Sequence, residues 1–150
     1  MDVPLPTRLF SLREANALLS TLNEEFSRAR QLRDELMGLQ QKLQDAGRGI
    51  EGPDVAVDLE APPAVQRLQA RAVRLIEKLR DILHEVAELG VEVKAADGLV
   101  DFRSKLHGRT VFLCWKYGEE RVGFFHELDS GFAGRRPLPA DGDFIGDFVH

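Results

Sequence analysis

The stretch FFHELDSGFAGRRPL, residues 124–138, places a histidine and two acids just before a glycine-rich loop that ends in two arginines. The histidine, His126, belongs to the residue type that exchanges protons near neutral pH. The adjacent Glu127 can orient a proton carrier or bind a cation. If the protein is an enzyme, we therefore predict that His126 and Glu127 are its catalytic residues.

A strand conformation in this stretch would limit how these side chains act together. Neighbours on a strand point to opposite faces, so His126 and Glu127 share one site only where a bulge intervenes. The tetrapeptide HELD also lacks the second histidine of the HExxH zinc motif. Glu127 and Asp129 do share a face and are candidates for metal ligands, with Cys114 or Asp101 as further donors. The alternative is that these acids pair with arginines, and we assign no metal and no cofactor.

The two arginines are the more specific feature, because glycines allow close backbone approach and guanidinium groups bind phosphate or carboxylate in a planar, two-pronged geometry. We predict that Arg135 and Arg136 bind an anionic ligand, together with Asp101 and Trp115. A second set of basic side chains is expected in a neighbouring loop: Arg103, Lys105, His107 and Arg109. The alternative is that both arginines pair internally with Glu127, Asp129 or Asp101 and lock the loop in place. His126 has a similar alternative as a buried histidine bonded to the backbone.

The single cysteine, Cys114, falls within a strand segment. A hairpin register that places His126 opposite Val111 puts Cys114 opposite Gly123, and it separates the cysteine from the histidine by about 10 Å along the strands. This register predicts a buried, inert thiol rather than a catalytic cysteine.

The first elements that we expect to position these residues are two helices, at residues 8–46 and 64–89. A capping box formed by Ser11 and Glu14 marks the start of the first helix, and a loop at 47–63 separates the two helices. Both carry heptad repeats of apolar residues that favour an antiparallel, coiled-coil-like hairpin. The repeats include Leu32, Leu36, Leu39 and Leu43, and then Val65, Leu68, Ala72 and Leu75. Such narrow apolar seams favour a homo-oligomer, most simply a dimer that forms a four-helix bundle. The alternative is that the strand region of the same chain covers the apolar surface of the helices.

The pattern changes to alternation in residues 90–138. We expect short strands at 91–94 and 98–102, and a hairpin of 110–117 with 121–129 joined through Gly118–Glu120. A tail follows at 139–150. The sequence thus predicts one α+β domain: a long helical hairpin, a small antiparallel β-sheet and an arginine-bearing loop.

Four segments resemble one family of bacterial proteins, catalogued as Domain of Unknown Function 2203. They are FSLREANALLSTL, GLVDF, LCWKYGEE and HELDSGFAGRRPL, and the resemblance extends from about residue 9 to residue 138. It implies a small cytoplasmic protein with a helical N-terminal half, and no established activity.

Composition restricts the function further. Apolar residues make up 43% and charged residues 30% of the 150 positions, which is typical of a folded domain. With 25 acids against 20 bases and a net charge of -5, nucleic-acid binding is disfavoured. One cysteine and no long apolar run predict a cytoplasmic protein without a membrane span. We therefore expect a non-enzymatic module that binds a second copy or a partner protein. The alternative is a small enzyme or receptor for a phosphate- or carboxylate-bearing ligand, with or without a divalent metal.

Overall fold

The computed structural model describes residues 8–49 and 55–147, and it shows an α+β protein in which helices precede a five-stranded antiparallel sheet. The helices are α1 (Leu12–Ala17), α2 (Leu19–Asp45) and α3 (Pro63–Glu88). The strands are β1 (Glu92–Ala95), β2 (Leu99–Leu106), β3 (Arg109–Lys116), β4 (Phe124–Glu127) and β5 (Arg136–Pro137). A single 3-10 turn, Phe132–Gly134, lies between the last two strands. The predicted fold class is confirmed.

The first helical segment begins at Leu12, directly after the capping residue Ser11, and not at residue 8. The amide of Glu14 donates to the hydroxyl of Ser11, and the amide of Ser11 donates to the carboxylate of Glu14. The expected single helix is interrupted, however, since the amide of Leu18 bonds to the carbonyl of Ala15, only three residues back. This tighter turn separates α1 from α2. Helix α3 starts and ends within one residue of its predicted limits.

The chain forms two compact units, of which one comprises Ser27–Ile82. Its core consists of two buried clusters, Leu39 with Ala72 and Leu75, and Leu43 with Ala61 and Val65. The end of α2 therefore contacts the start of α3, which is the contact pattern of an antiparallel pair of helices. Residues 50–54 of the predicted connecting loop lie outside the described residues.

The other unit comprises residues 1–26 and 83–150, of which 8–26 and 83–147 are described. Its strands follow one another in sequence order across the sheet. One face of the sheet packs on the N-terminal segment, because the ring of Phe102 meets that of Phe10 edge-on at 5.4 Å and Trp115 lies 6.3 Å from Phe26. The opposite face carries Asp101, Phe112, Cys114, Phe124 and His126.

Strands β2 and β3 form a hairpin that the sequence analysis missed. The turn residues His107 and Gly108 both have positive φ, 49° and 83°, as a two-residue type I′ turn requires. The predicted basic loop is therefore wrong: Arg103 and Lys105 belong to β2, and Arg109 is the first residue of β3.

The tail after residue 138 is attached to the sheet. Ile145 exchanges two backbone hydrogen bonds with Lys105, and Phe144 packs against Phe125 with 6.0 Å between ring centroids. Residues 148–150 of the tail are not among the described residues.

No helix in the described ranges is long and apolar enough to cross a membrane. That the whole chain is a single domain stays a prediction.

Candidate functional site

The register of β3 against β4 decides which side chains meet. Phe112 lies opposite His126, and Cys114 lies opposite Phe124. The predicted register, with His126 opposite Val111, is wrong by one residue. Because side chains alternate along a strand, a slip of one residue moves every side chain of β4 to the other face of its partner. His126 therefore shares a face with Cys114.

Two hydrogen bonds fix the connection between β3 and β4. The amide of Val122 donates to the side-chain oxygen of Asn16 at 2.8 Å. The indole of Trp115 donates to the carbonyl of Glu119 at 2.9 Å. The residues between these two bonds form no strand, and β4 begins at Phe124.

The shared face brings together three side chains from three adjacent strands, Asp101 on β2, Cys114 on β3 and His126 on β4. One carboxylate oxygen, the thiol sulfur and one ring nitrogen all lie within 4.8 Å of one another. Their exposed fractions are 2%, 0% and 2%, respectively. The predicted separation of about 10 Å between the cysteine and the histidine is therefore incorrect.

The hydrogen bonds of His126 indicate where the protons of this cluster lie. Nδ1 of His126 lies 2.8 Å from the carbonyl oxygen of Glu127, and a carbonyl only accepts, so Nδ1 carries a proton. Nε2 lies 2.9 Å from Oδ2 of Asp101, and one further proton is shared between these two atoms. Oδ1 of Asp101 is buried, and among the described residues it has no hydrogen-bond partner.

Burial controls the acidity of the two other members. It raises the pKa of Asp101 above its ordinary value, although the hydrogen bond and charge of His126 act in the opposite direction. Burial also raises the pKa of Cys114, to about 11, with a further contribution from the charge of Asp101. The thiol is therefore protonated at neutral pH and is not a ready nucleophile.

Arg135 borders the cluster, and it is paired within the chain. Its guanidinium group forms two bonds to the carboxylate of Glu119, at 3.1 and 2.9 Å. It also stacks on Phe124 and Phe132, with 3.9 and 4.4 Å to the ring centroids. Its acid partner is thus a residue of the β3–β4 connection, which was not among the three acids considered from the sequence.

Arg136 lies on the other face, where Glu127 accepts hydrogen bonds from it at 3.0 Å and from Arg109 at 2.8 Å. Hydrogen bonding by Arg109, with support from Arg136, lowers the pKa of Glu127 below its ordinary value. Asp129 is exposed in the turn after β4. Glu127 therefore lies in an arginine-paired group, apart from the face that carries His126.

The remaining predicted ligand-binding residues are internal. Trp115 is fully buried on the helix-facing side of the sheet, and Asp101 is buried beside His126. Sequence reasoning missed the role of Glu119. The dipeptide His107–Gly108 was the available signal for the first hairpin, and that hairpin places Asp101 opposite Cys114.

Comparison with known proteins identifies a family but no characterised relative. No match was found among curated proteins or among solved structures. A family model described as "Uncharacterized conserved protein (DUF2203)" matches residues 8–138, which include all of the Ser27–Ile82 unit, most of the other unit and the whole candidate site. The chain therefore belongs to the DUF2203 family.

Proposed function

We propose that the protein is a cytoplasmic, non-enzymatic binding and assembly module that dimerises through the helices of its Ser27–Ile82 unit. In this proposal two copies pack their helix pairs into a coiled-coil-like four-helix bundle. The HELDSGFAGRRPL segment stabilises the β-sheet of each copy.

The partial burial of three leucines is the main support for the proposed dimer. Leu32, Leu36 and Leu68 occupy seam positions of the heptad repeats, yet they are only partly buried against the cluster of Leu39, Ala72 and Leu75. Two helices alone leave the edges of such a seam in contact with water, and a second pair of helices would cover them. The apolar area that is still accessible at these leucines is available to stabilise a dimer.

The contacts of His126, Arg135 and Arg136 support a structural role for the HELDSGFAGRRPL segment. His126 uses both ring nitrogens within the chain, and Arg135 and Arg136 each have a carboxylate partner. A receptor for an anionic ligand, or an enzyme that acts on one, would require these guanidinium groups to exchange their partners for the ligand. The assembly function requires no such rearrangement.

The test is the mass of the full chain in solution, measured by light scattering after size exclusion and by sedimentation over a range of concentrations. We expect a dimer that dissociates on dilution. Replacing Leu36→Gln should weaken it by about 2 kcal/mol, roughly thirty-fold in the dissociation constant, because each copy loses about 1 kcal/mol of apolar burial.

The matched control is Leu59→Gln, the same chemical change at a leucine that is 82% exposed outside the helices. This variant should dimerise like the wild type. Circular dichroism must show that both variants are folded. A wild-type monomer at every concentration, or a dimer indifferent to Leu36→Gln, would refute the proposal.

A further inference from the structure

We propose that Asp101, Cys114 and His126 form a binding site for one divalent metal ion of the zinc class. This site is independent of the proposed dimer, since all three residues belong to the unit that contains the β-sheet and not to the Ser27–Ile82 unit. It includes Asp101 and Cys114, which the sequence suggested only as further donors, and it replaces Glu127 and Asp129 with His126.

The first support is geometric. Adjacent strands present the three side chains on one face, with Asp101 directly opposite Cys114 and His126 one strand further on. Bonds of about 2.0 to 2.3 Å to a tetrahedral zinc ion place its ligand atoms ~3.3 to 3.6 Å apart. The donor atoms here lie within 4.8 Å of one another, so small side-chain rotations suffice to bring them to that spacing.

The donor set fits zinc chemically. A thiolate, an imidazole and a carboxylate are the three ligand types that this borderline-soft ion takes in proteins. Binding replaces the thiol proton of Cys114 and the proton shared by Asp101 and His126 with one doubly charged ion. The net charge of the buried cluster is therefore unchanged, which avoids the cost of an uncompensated charge in a dry environment.

The histidine is already oriented as a metal ligand. Its Nδ1–H donates to the carbonyl of Glu127, which leaves the lone pair of Nε2 directed at the cluster once the shared proton is gone. Metal-bound histidines commonly have such a backbone partner on the second nitrogen. Oδ1 of Asp101 is a second sign, because it is buried without a well-formed hydrogen bond and the thiol of Cys114 beside this carboxylate is only a weak donor.

The neighbouring positive charge does not prevent binding. The guanidinium group of Arg135 interacts with Cys114, which favours the thiolate form. This guanidinium forms a bidentate pair with Glu119, so the pair adds no net charge beside the metal.

The test uses the full chain, freed of metal with a chelator and titrated with Co²⁺ and then with Zn²⁺. We expect one equivalent of Co²⁺ to produce a thiolate-to-cobalt absorption band together with visible d–d bands, and Zn²⁺ to abolish them. Native mass spectrometry should show one bound zinc ion. Zinc should also raise the unfolding midpoint of the wild type, because an ion that binds only the folded state stabilises it.

Two variants and one control make the outcome decisive. Cys114→Ala should lose the thiolate band and the zinc-dependent shift of the midpoint. Asp101→Asn should keep the band but weaken cobalt binding at least about ten-fold. His84→Gln is the control, since His84 is an exposed histidine near a glutamate, Glu88, on a helix surface, and its loss should change nothing.

A folded wild-type protein that shows neither the thiolate band nor a zinc-dependent shift would overturn the proposal. Bands that persist in Cys114→Ala, or that vanish in His84→Gln, would also overturn it, since the ion would then bind elsewhere. If Cys114→Ala does not fold, the affinity of Asp101→Asn decides, and an affinity equal to the wild type refutes the site.

Discussion

Nε2 of His126 lies 2.9 Å from Oδ2 of Asp101, and both side chains are almost completely excluded from solvent. The two residues belong to strands that are not neighbours, because β3 runs between them. Their contact exists only because both side chains rise from the same face of the sheet. A buried pair of this kind is costly to break, since the remaining partner loses both water and its hydrogen bond.

We expect Asp101→Ala to lower the free energy of unfolding by about 3 kcal/mol, because Nε2 of His126 is then buried without a partner. Asp101→Asn should cost less than about 1.5 kcal/mol, since its amide N–H can donate to the unprotonated Nε2. Urea denaturation at neutral pH, in the presence of a chelator, measures both values. Equal losses for the two variants would show that the hydrogen bond at Nε2 is not what stabilises this pair.

Arg135 and Arg136 are adjacent in sequence, but we expect them to contribute unequally to the free energy of unfolding. Arg135→Ala should lower the free energy of unfolding by about 2 kcal/mol, because it removes a bidentate pair and a cation stacked on Phe124. Arg136→Ala should cost less than about 1 kcal/mol, since its side chain is 56% exposed and its ion pair is screened by water. Denaturant unfolding of the two variants tests the difference.

A double-mutant cycle assigns the Arg135 effect to its partner. Glu119→Gln alone and together with Arg135→Ala should show a coupling energy of about 1 kcal/mol. Independent effects of the two substitutions, or a larger loss for Arg136→Ala, would contradict the assignment.

The carboxylate of Glu127 should make stability depend on pH in acid. Its pKa is lower in the folded protein than in the unfolded chain, mainly through the hydrogen bond from Arg109, so it stabilises the fold when ionised. That contribution is present above the unfolded pKa, about 4.3, and it disappears as the pH falls through the lower folded value. The difference in unfolding free energy between wild type and Glu127→Gln should therefore be largest at neutral pH and shrink below about pH 4.5.

Unfolding curves at several pH values between 7 and 3 measure this difference. Asp129→Asn is the matched control, an exposed acid two residues away, and it should change the unfolding free energy by less than about 0.5 kcal/mol. A Glu127→Gln difference that stays constant down to pH 3 would show that the arginine pairs do not stabilise the folded state.

The sequence by itself determined the features that depend on neighbours within one or two helical turns. The capping box at Ser11, the limits of α3 and the alternation within each strand follow from local hydrogen bonding and from the fixed period of each element. The helical and strand regions were therefore predicted in the right order. Within them, the break at Leu18 and the His107–Gly108 turn were missed, although the turn has a local signal in its glycine.

Only the tertiary structure decided the register of β4, and with it the composition of the candidate site. A slip of one residue along a strand leaves its apolar and polar alternation unchanged, so the pattern of β4 is equally compatible with either register. The pairing of Phe112 with His126 places the histidine on the face of Asp101 and Cys114. What distinguishes the two registers is packing across the sheet and contacts between distant segments, such as the bond from the amide of Val122 to Asn16, a residue 106 positions earlier in the chain. A local pattern contains neither, because such contacts form only once the helix and the sheet have packed together.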